Sequence, residues 1–180
     1  MLNSPVGRGH PQFSFCLGQV LGALVTALGA LVVGSLLRLA APSGVWVVLL
    51  VCWFAVITVR EFGLLSFGLP QNARLVPVTV FRHGRFFGPL QFGLEMGTGL
   101  RTYVTSGLPY VLLPAVALLA SPGAALVAGL GFGLGRSLMT TSNLRFSDDN
   151  SWDLEFSLYE RWIKAILVMA FAGGFFAAVI

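Results

Sequence analysis

The chain has 180 residues, 56% of them apolar and 10% charged, whereas a soluble domain carries about 25% charged residues. That deficit excludes a water-solvated surface of ordinary size, and the pattern predicts one integral membrane domain over residues 1–180. The net charge of +4 comes from basic residues that sit mainly at the ends of apolar runs. They read as topology determinants and lipid-phosphate contacts, and no aromatic-interleaved basic run points to nucleic acid.

The expected fold is all-α: a polytopic transmembrane helical bundle with about five or six membrane-embedded segments. The first apolar run, 13–37, carries no charge and exceeds the usual length of a signal-peptide core, so it predicts a span rather than a leader. Arg38 closes it, and residues 40–44 read as a tight turn. A second span is expected at 45–66, with Arg60-Glu61 near its end as an interface anchor or a salt-bridged pair. The 67–85 stretch, with Arg74, Arg82, His83 and Arg85, is the most basic part of the chain.

Residues 86–104 form a third apolar segment, with Pro89 near its start, that either spans or lies in the interface. Two shorter segments follow, 107–120 and 123–139, joined at Ser121-Pro122-Gly123. They read as two short spans or as a re-entrant hairpin over 107–139. Residues 140–161 read as a polar, acidic, solvated loop flanked by the belt aromatics Trp152, Tyr159 and Trp162. The last span is expected at 162–180. The positive-inside rule places the N-terminus and the 67–85 loop in the cytoplasm of a multi-pass cell-membrane protein. If 86–104 spans, which is the preferred version, the 140–161 loop is external and the C-terminus internal; otherwise both assignments flip.

Small residues recur at four-residue spacing. Gly18, Gly22, Thr26, Ala30 and Gly34 make one ridge, and the pairs Gly93/Gly97, Gly129/Gly133 and Gly131/Gly135 repeat it. Such ridges let helix backbones approach closely. They predict packing within the bundle, with self-association as the sharper alternative. The shared spacing in 17–26 and 92–102 is a faint internal echo of the kind found in transporters built from repeats.

Gln91, Glu95, Thr98 and Thr102 follow one another at steps of four, three and four, a polar stripe on one helical face. Arg101 falls well round the helix from Glu95, so a partner for that carboxyl is expected from another helix, such as Gln19. Tyr103, Thr105, Ser106, Gly107 and Pro109 then mark a polar break, either a surface loop or the lining of a site. Gln91, Glu95, Thr98, Arg101, Thr102 and Tyr103 are therefore the binding or translocation candidates.

Three functions fit. The first is a non-enzymatic module packing with itself or with partner subunits in the bilayer. The second is a small-solute or ion transporter component using Glu95. The third is a thiol-redox carrier through Cys16 and Cys52, which their different expected depths disfavour. No catalytic fingerprint, metal-ligand spacing or cofactor motif is present, so an enzyme, a metal and a cofactor are not expected. Asp148, Asp149, Asn150, Asp153 and Glu155 lack the turn and ligand spacing of a calcium loop.

Overall fold

A computed structural model describes residues 10–70, 84–99, 106–146 and 151–179, without the side chains of 143–146, 151–156 and 177–179. Among the described residues there are six α-helices and no strand. They are α1 His10–Leu37, α2 Ser43–Glu61, α3 Gly84–Gly97, α4 Pro109–Leu119, α5 Pro122–Phe146 and α6 Ser151–Val179. A 3-10 turn, Arg38–Ala40, leads from α1 towards α2.

Two helical stretches, His10–Ala40 and Ser43–Glu61, are long and apolar enough to cross a membrane. Only 22% and 17% of their most apolar windows are buried. The core helix of a soluble protein hides most of such a surface; here it faces outward.

Several boundaries differ from the expected spans. The second helix stops at Glu61 instead of 66. Gly63 takes φ +77°, its N–H donates to Arg60 O (2.9 Å), and Leu64 N–H donates to Val59 O (3.2 Å). This pair of bonds satisfies the last carbonyls and ends the helix. The third helix ends at Gly97 rather than 104, with a turn at Thr98 and a left-handed Gly99, φ +71°. The stretch 140–161 is not an extended polar loop. Helix α5 runs on to Phe146, and α6 begins at Ser151. Asp153 and Glu155 thereby occupy the first two turns of α6, where the helix dipole favours acids.

Helix directions follow from the close approaches. Gly18, Gly22 and Thr26 of α1 meet Leu90, Leu94 and Thr98 in that order, so α3 runs parallel to α1. Gly34 abuts Ala117, and Arg38 reaches Val116, Ala117 and Ala120. Helix α4 therefore runs parallel to α1 along its second half, and α3 and α4 lie in tandem along one helix. Helix α5 is antiparallel to α1: Gly129 faces Leu24 and Ala27, Gly133 faces Val20, and Ser137 faces Cys16. Trp53 Nε1 donates to Tyr110 O (2.9 Å) and Gly107 N–H meets Glu61, which sets α2 antiparallel to α4. Phe54 packs tilted against Phe171 at 5.4 Å and stacks on Phe175 at 6.0 Å, and Lys164 shares a cavity with Arg60, so α6 is antiparallel to α2.

Helices α4 and α5 do form a hairpin, turning at Ser121. The hydroxyl of Ser121 accepts from Ala124 N–H (3.2 Å) and Pro122 opens the helix, an ordinary N-terminal arrangement. Its arms are unequal, 11 and 25 residues, so the hairpin does not return to the level at which it began.

Candidate functional site

The α1 ridge is the axis of the molecule. A Cβ on Gly22 would overlap the Leu94 carbonyl oxygen and lie 2.9 Å from Thr98 N; a Cβ on Gly18 would overlap Leu90 O. From the other side, Gly93 and Gly97 seat the carbonyls of Phe15 and Gln19. Gly34 admits the Ala117 backbone just as closely, and Gly133 brings its Cβ position to 2.7 Å from Val20 Cα. Gly129 is looser, its nearest neighbour being Ala27 Cβ at 3.1 Å. These seven glycines thus face elements of their own chain. Gly131 and Gly135 have nothing within 4 Å. One ridge serves two helices: Gly18, Gly22 and Thr26 receive α3, while Gly34 receives α4 and Ala30 packs on the cluster of Ala27, Val116 and Ala125.

Below this crossing lies a buried polar pair. Gln19 is 0% exposed, and its Oε1 accepts from Ser137 Oγ (3.1 Å), which also reaches Gly133 O (2.8 Å). Gln19 Nε2 is buried with no hydrogen-bond partner among the described residues.

The polar stripe of α3 lies on its outer flank. Gln91 is exposed, while Glu95 and Thr98 are half-buried. Gln91 Nε2 donates to Glu95 Oε1 (3.4 Å) and Thr98 Oγ1 donates to Glu95 O (2.7 Å). Thr26 Oγ1 donates to Thr98 O (3.2 Å), tying the stripe's end to α1. Beside it is an open groove of about 380 Å³ lined by Phe87, Leu90, Gln91 and Leu94. The structure brings Gln91, Glu95 and Thr98 together; Arg101, Thr102 and Tyr103 lie outside the described residues, as do His83, Asp148, Asp149 and Asn150.

Two charged residues have more specific places than the sequence suggested. Arg38 donates from Nε to Ala117 O (3.0 Å) and from one terminal nitrogen to Val116 O (3.2 Å) and Ala120 O (2.8 Å). It clamps the open carbonyls at the C-terminus of α4, where a cation also suits the dipole. Glu61 is not a solvated anchor. Its side chain is 3% exposed, and Oε1 accepts from Gly107 N–H at 2.5 Å, capping the entry to α4. Arg60 stands 3.5 Å from the same oxygen. The adjacency of Arg60 and Glu61 was the only sequence signal, and nothing in it pointed 46 residues onward.

Cys16 and Cys52 are both free, the first half-buried and 3.7 Å from Thr141 Oγ1, the second exposed on α2. They sit on helices that make no extensive contact with each other. Among the described residues, no cluster of three His, Cys, Asp or Glu side chains could hold a metal ion. No family profile, curated protein or solved structure matches the chain.

Proposed function

We propose that this chain is a non-enzymatic, membrane-embedded helical module of five crossings that takes a partner helix along the open flank of α3. Helices α1, α2, α5 and α6 each supply one crossing. Helices α3 and α4 supply the fifth between them: at ~1.5 Å per residue they are about 21 and 16 Å long, each short of a ~30 Å hydrocarbon core but sufficient together. This reading replaces the preferred topology, in which residues 86–104 crossed alone. It puts the N-terminus, the α2–α3 connection and the α5–α6 connection on one side. Arg60, Arg85, Arg161 and Lys164 belong to that end, while Arg38 stands at the other. The positive-inside rule makes the charged end cytoplasmic.

The observation that carries the partner reading is the flank of α3. Among the described residues, helix α3 packs extensively only on α1, and it turns outward an exposed Gln91 beside an apolar groove. An exposed carboxamide is costly to leave against lipid, and a second helix can satisfy its remaining hydrogen-bonding groups. The test is a photocrosslinking residue at position 91, compared with one at Val32, which is exposed on α1. A discrete protein adduct from position 91 and lipid adducts from position 32 support the proposal. Lipid adducts alone from both would reject it.

The break between α3 and α4 favours a second reading, a transporter component for a small solute or ion. Discontinuous helices commonly build such sites, and Glu95 lies within one turn of the break. Loss of uptake in Glu95→Gln proteoliposomes, with the fold retained, would support this reading over the first.

A further inference from the structure

We infer that the cavity between the end of α2 and α6 is a binding site for a phosphate-bearing anionic headgroup. The cavity is about 570 Å³ and is lined by Arg60, Glu61, Ser66, Phe67, Gly68 and Lys164, among others. It lies where both helices change character. Residues 43–59 of α2 and 165–179 of α6 carry no charge; Arg60, Glu61, Glu160, Arg161 and Lys164 appear together at the boundary. Tyr159 and Trp162, 60% and 72% exposed, stand at the same level, as belt aromatics do at a membrane surface. The site rests on the membrane orientation proposed above.

The chemistry of the lining selects an anion. Arg60 is held in place by its Nε bond to Phe67 O (2.9 Å) and by its guanidinium lying 5.4 Å from the Phe67 ring centre. Among the described residues, those contacts with the long bond to Glu61 occupy two of its five N–H groups, and the others can meet a ligand. Glu61 keeps its charge, with one oxygen accepting from Gly107 N–H inside the fold; the lining is still net positive, because Arg60 and Lys164 stand against this one carboxylate. Lys164 is paired with Glu160 at 2.7 Å, but Glu160 is 48% exposed, and an exposed pair one helical turn apart yields readily to a better anion. Ser66 adds a hydroxyl. Leu65, exposed and part of the lining, offers an apolar side where the chains of a lipid would lie. Basic pockets of this kind on the cytoplasmic side take phospholipid headgroups.

The test uses the full chain in neutral detergent, with phosphatidylglycerol, phosphatidylcholine or soluble glycerophosphate added, read by native mass spectrometry and thermal shift. Retention of phosphatidylglycerol over phosphatidylcholine is expected, with affinity falling about fivefold for each charge removed in Lys164→Gln and Arg60→Gln/Lys164→Gln. Glu160→Gln, which removes the competing carboxylate, should tighten binding, an effect that a purely structural role would not produce. Saturable stabilisation by glycerophosphate alone would assign the same chemistry to a soluble ligand. Equal retention of both lipids, or retention unchanged in Lys164→Gln and in Glu160→Gln, would overturn the site. Binding in detergent does not depend on topology, so this result is separable from a failure of the membrane orientation.

Discussion

Replacing Gly22 by alanine should separate close backbone packing from helix propensity. In an exposed helix interior, Gly→Ala stabilises by roughly 0.5–1 kcal/mol. At Gly22 the new methyl would overlap Leu94 O and crowd Thr98 N at 2.9 Å and Gly97 C at 3.1 Å. All three are backbone atoms, of α3 or of the turn that closes it, so no side chain can swing away. The two helices must part by roughly an ångström, at an overpacking cost of about 1–3 kcal/mol. Gly29 on the same helix is the control, since nothing lies within 4 Å of its Cβ position. Both variants gain the same propensity, so the difference between them isolates the packing cost: Gly22→Ala should be the less stable by about 1–3 kcal/mol. Reversible unfolding in mixed micelles, followed by circular dichroism, measures it. Equal stabilities, or a more stable Gly22→Ala, would refute the reasoning.

Removing the clamp in Arg38→Met should destabilise by about 1.5–3 kcal/mol, because it frees carbonyls at the end of α4 that were bonded to a charged donor; the same unfolding assay reads it. Glu61→Gln keeps an acceptor for Gly107 N–H and should lose little, whereas Glu61→Ala leaves that donor unsatisfied and should cost about 1–3 kcal/mol. The hydrogen bond from Lys164, and then its charge, hold the Glu160 carboxyl below its ordinary value of 4.5. A depressed folded-state value means that the contribution of this pair is present above the ordinary value and lost as pH falls through the depressed one. Carboxyl NMR titration should therefore show the Glu160 midpoint rising in Lys164→Gln; an unmoved midpoint would show that Lys164 is not the cause.

What the sequence made legible was local. The uncharged run ending at Arg38 corresponds to α1, and the Ser-Pro-Gly at 121–123 does turn the chain. The four-residue spacing identified the glycines of α1 and α3, but not that they face each other. Helix direction is a tertiary property: nothing local distinguishes a third helix parallel to α1 from one packed elsewhere. Thr105, Ser106 and Pro109 signal a break after α3, yet only the contact of Gly34 with Ala117 shows that α4 resumes the same path. Residues 140–161 read as a loop because polar helix ends resemble loops once the apolar pattern stops; the i,i+4 pair Glu160–Lys164 is the local sign of helix there. Glu61 and Arg38 looked like interface charges because the groups that bind them, Gly107 and the end of α4, are distant in sequence.

The five-crossing arrangement, with α3 and α4 sharing one passage, is tested most directly by single cysteines at Ser43, Gly68, Ser121 and Tyr159. They would be placed in a cysteine-free background and probed in intact cells with a membrane-impermeant thiol reagent. The account predicts labelling at 43 and 121 and protection at 68 and 159 until the cells are opened. Labelling at 159 together with protection at 121 would mean that α3 crosses alone, and would contradict it.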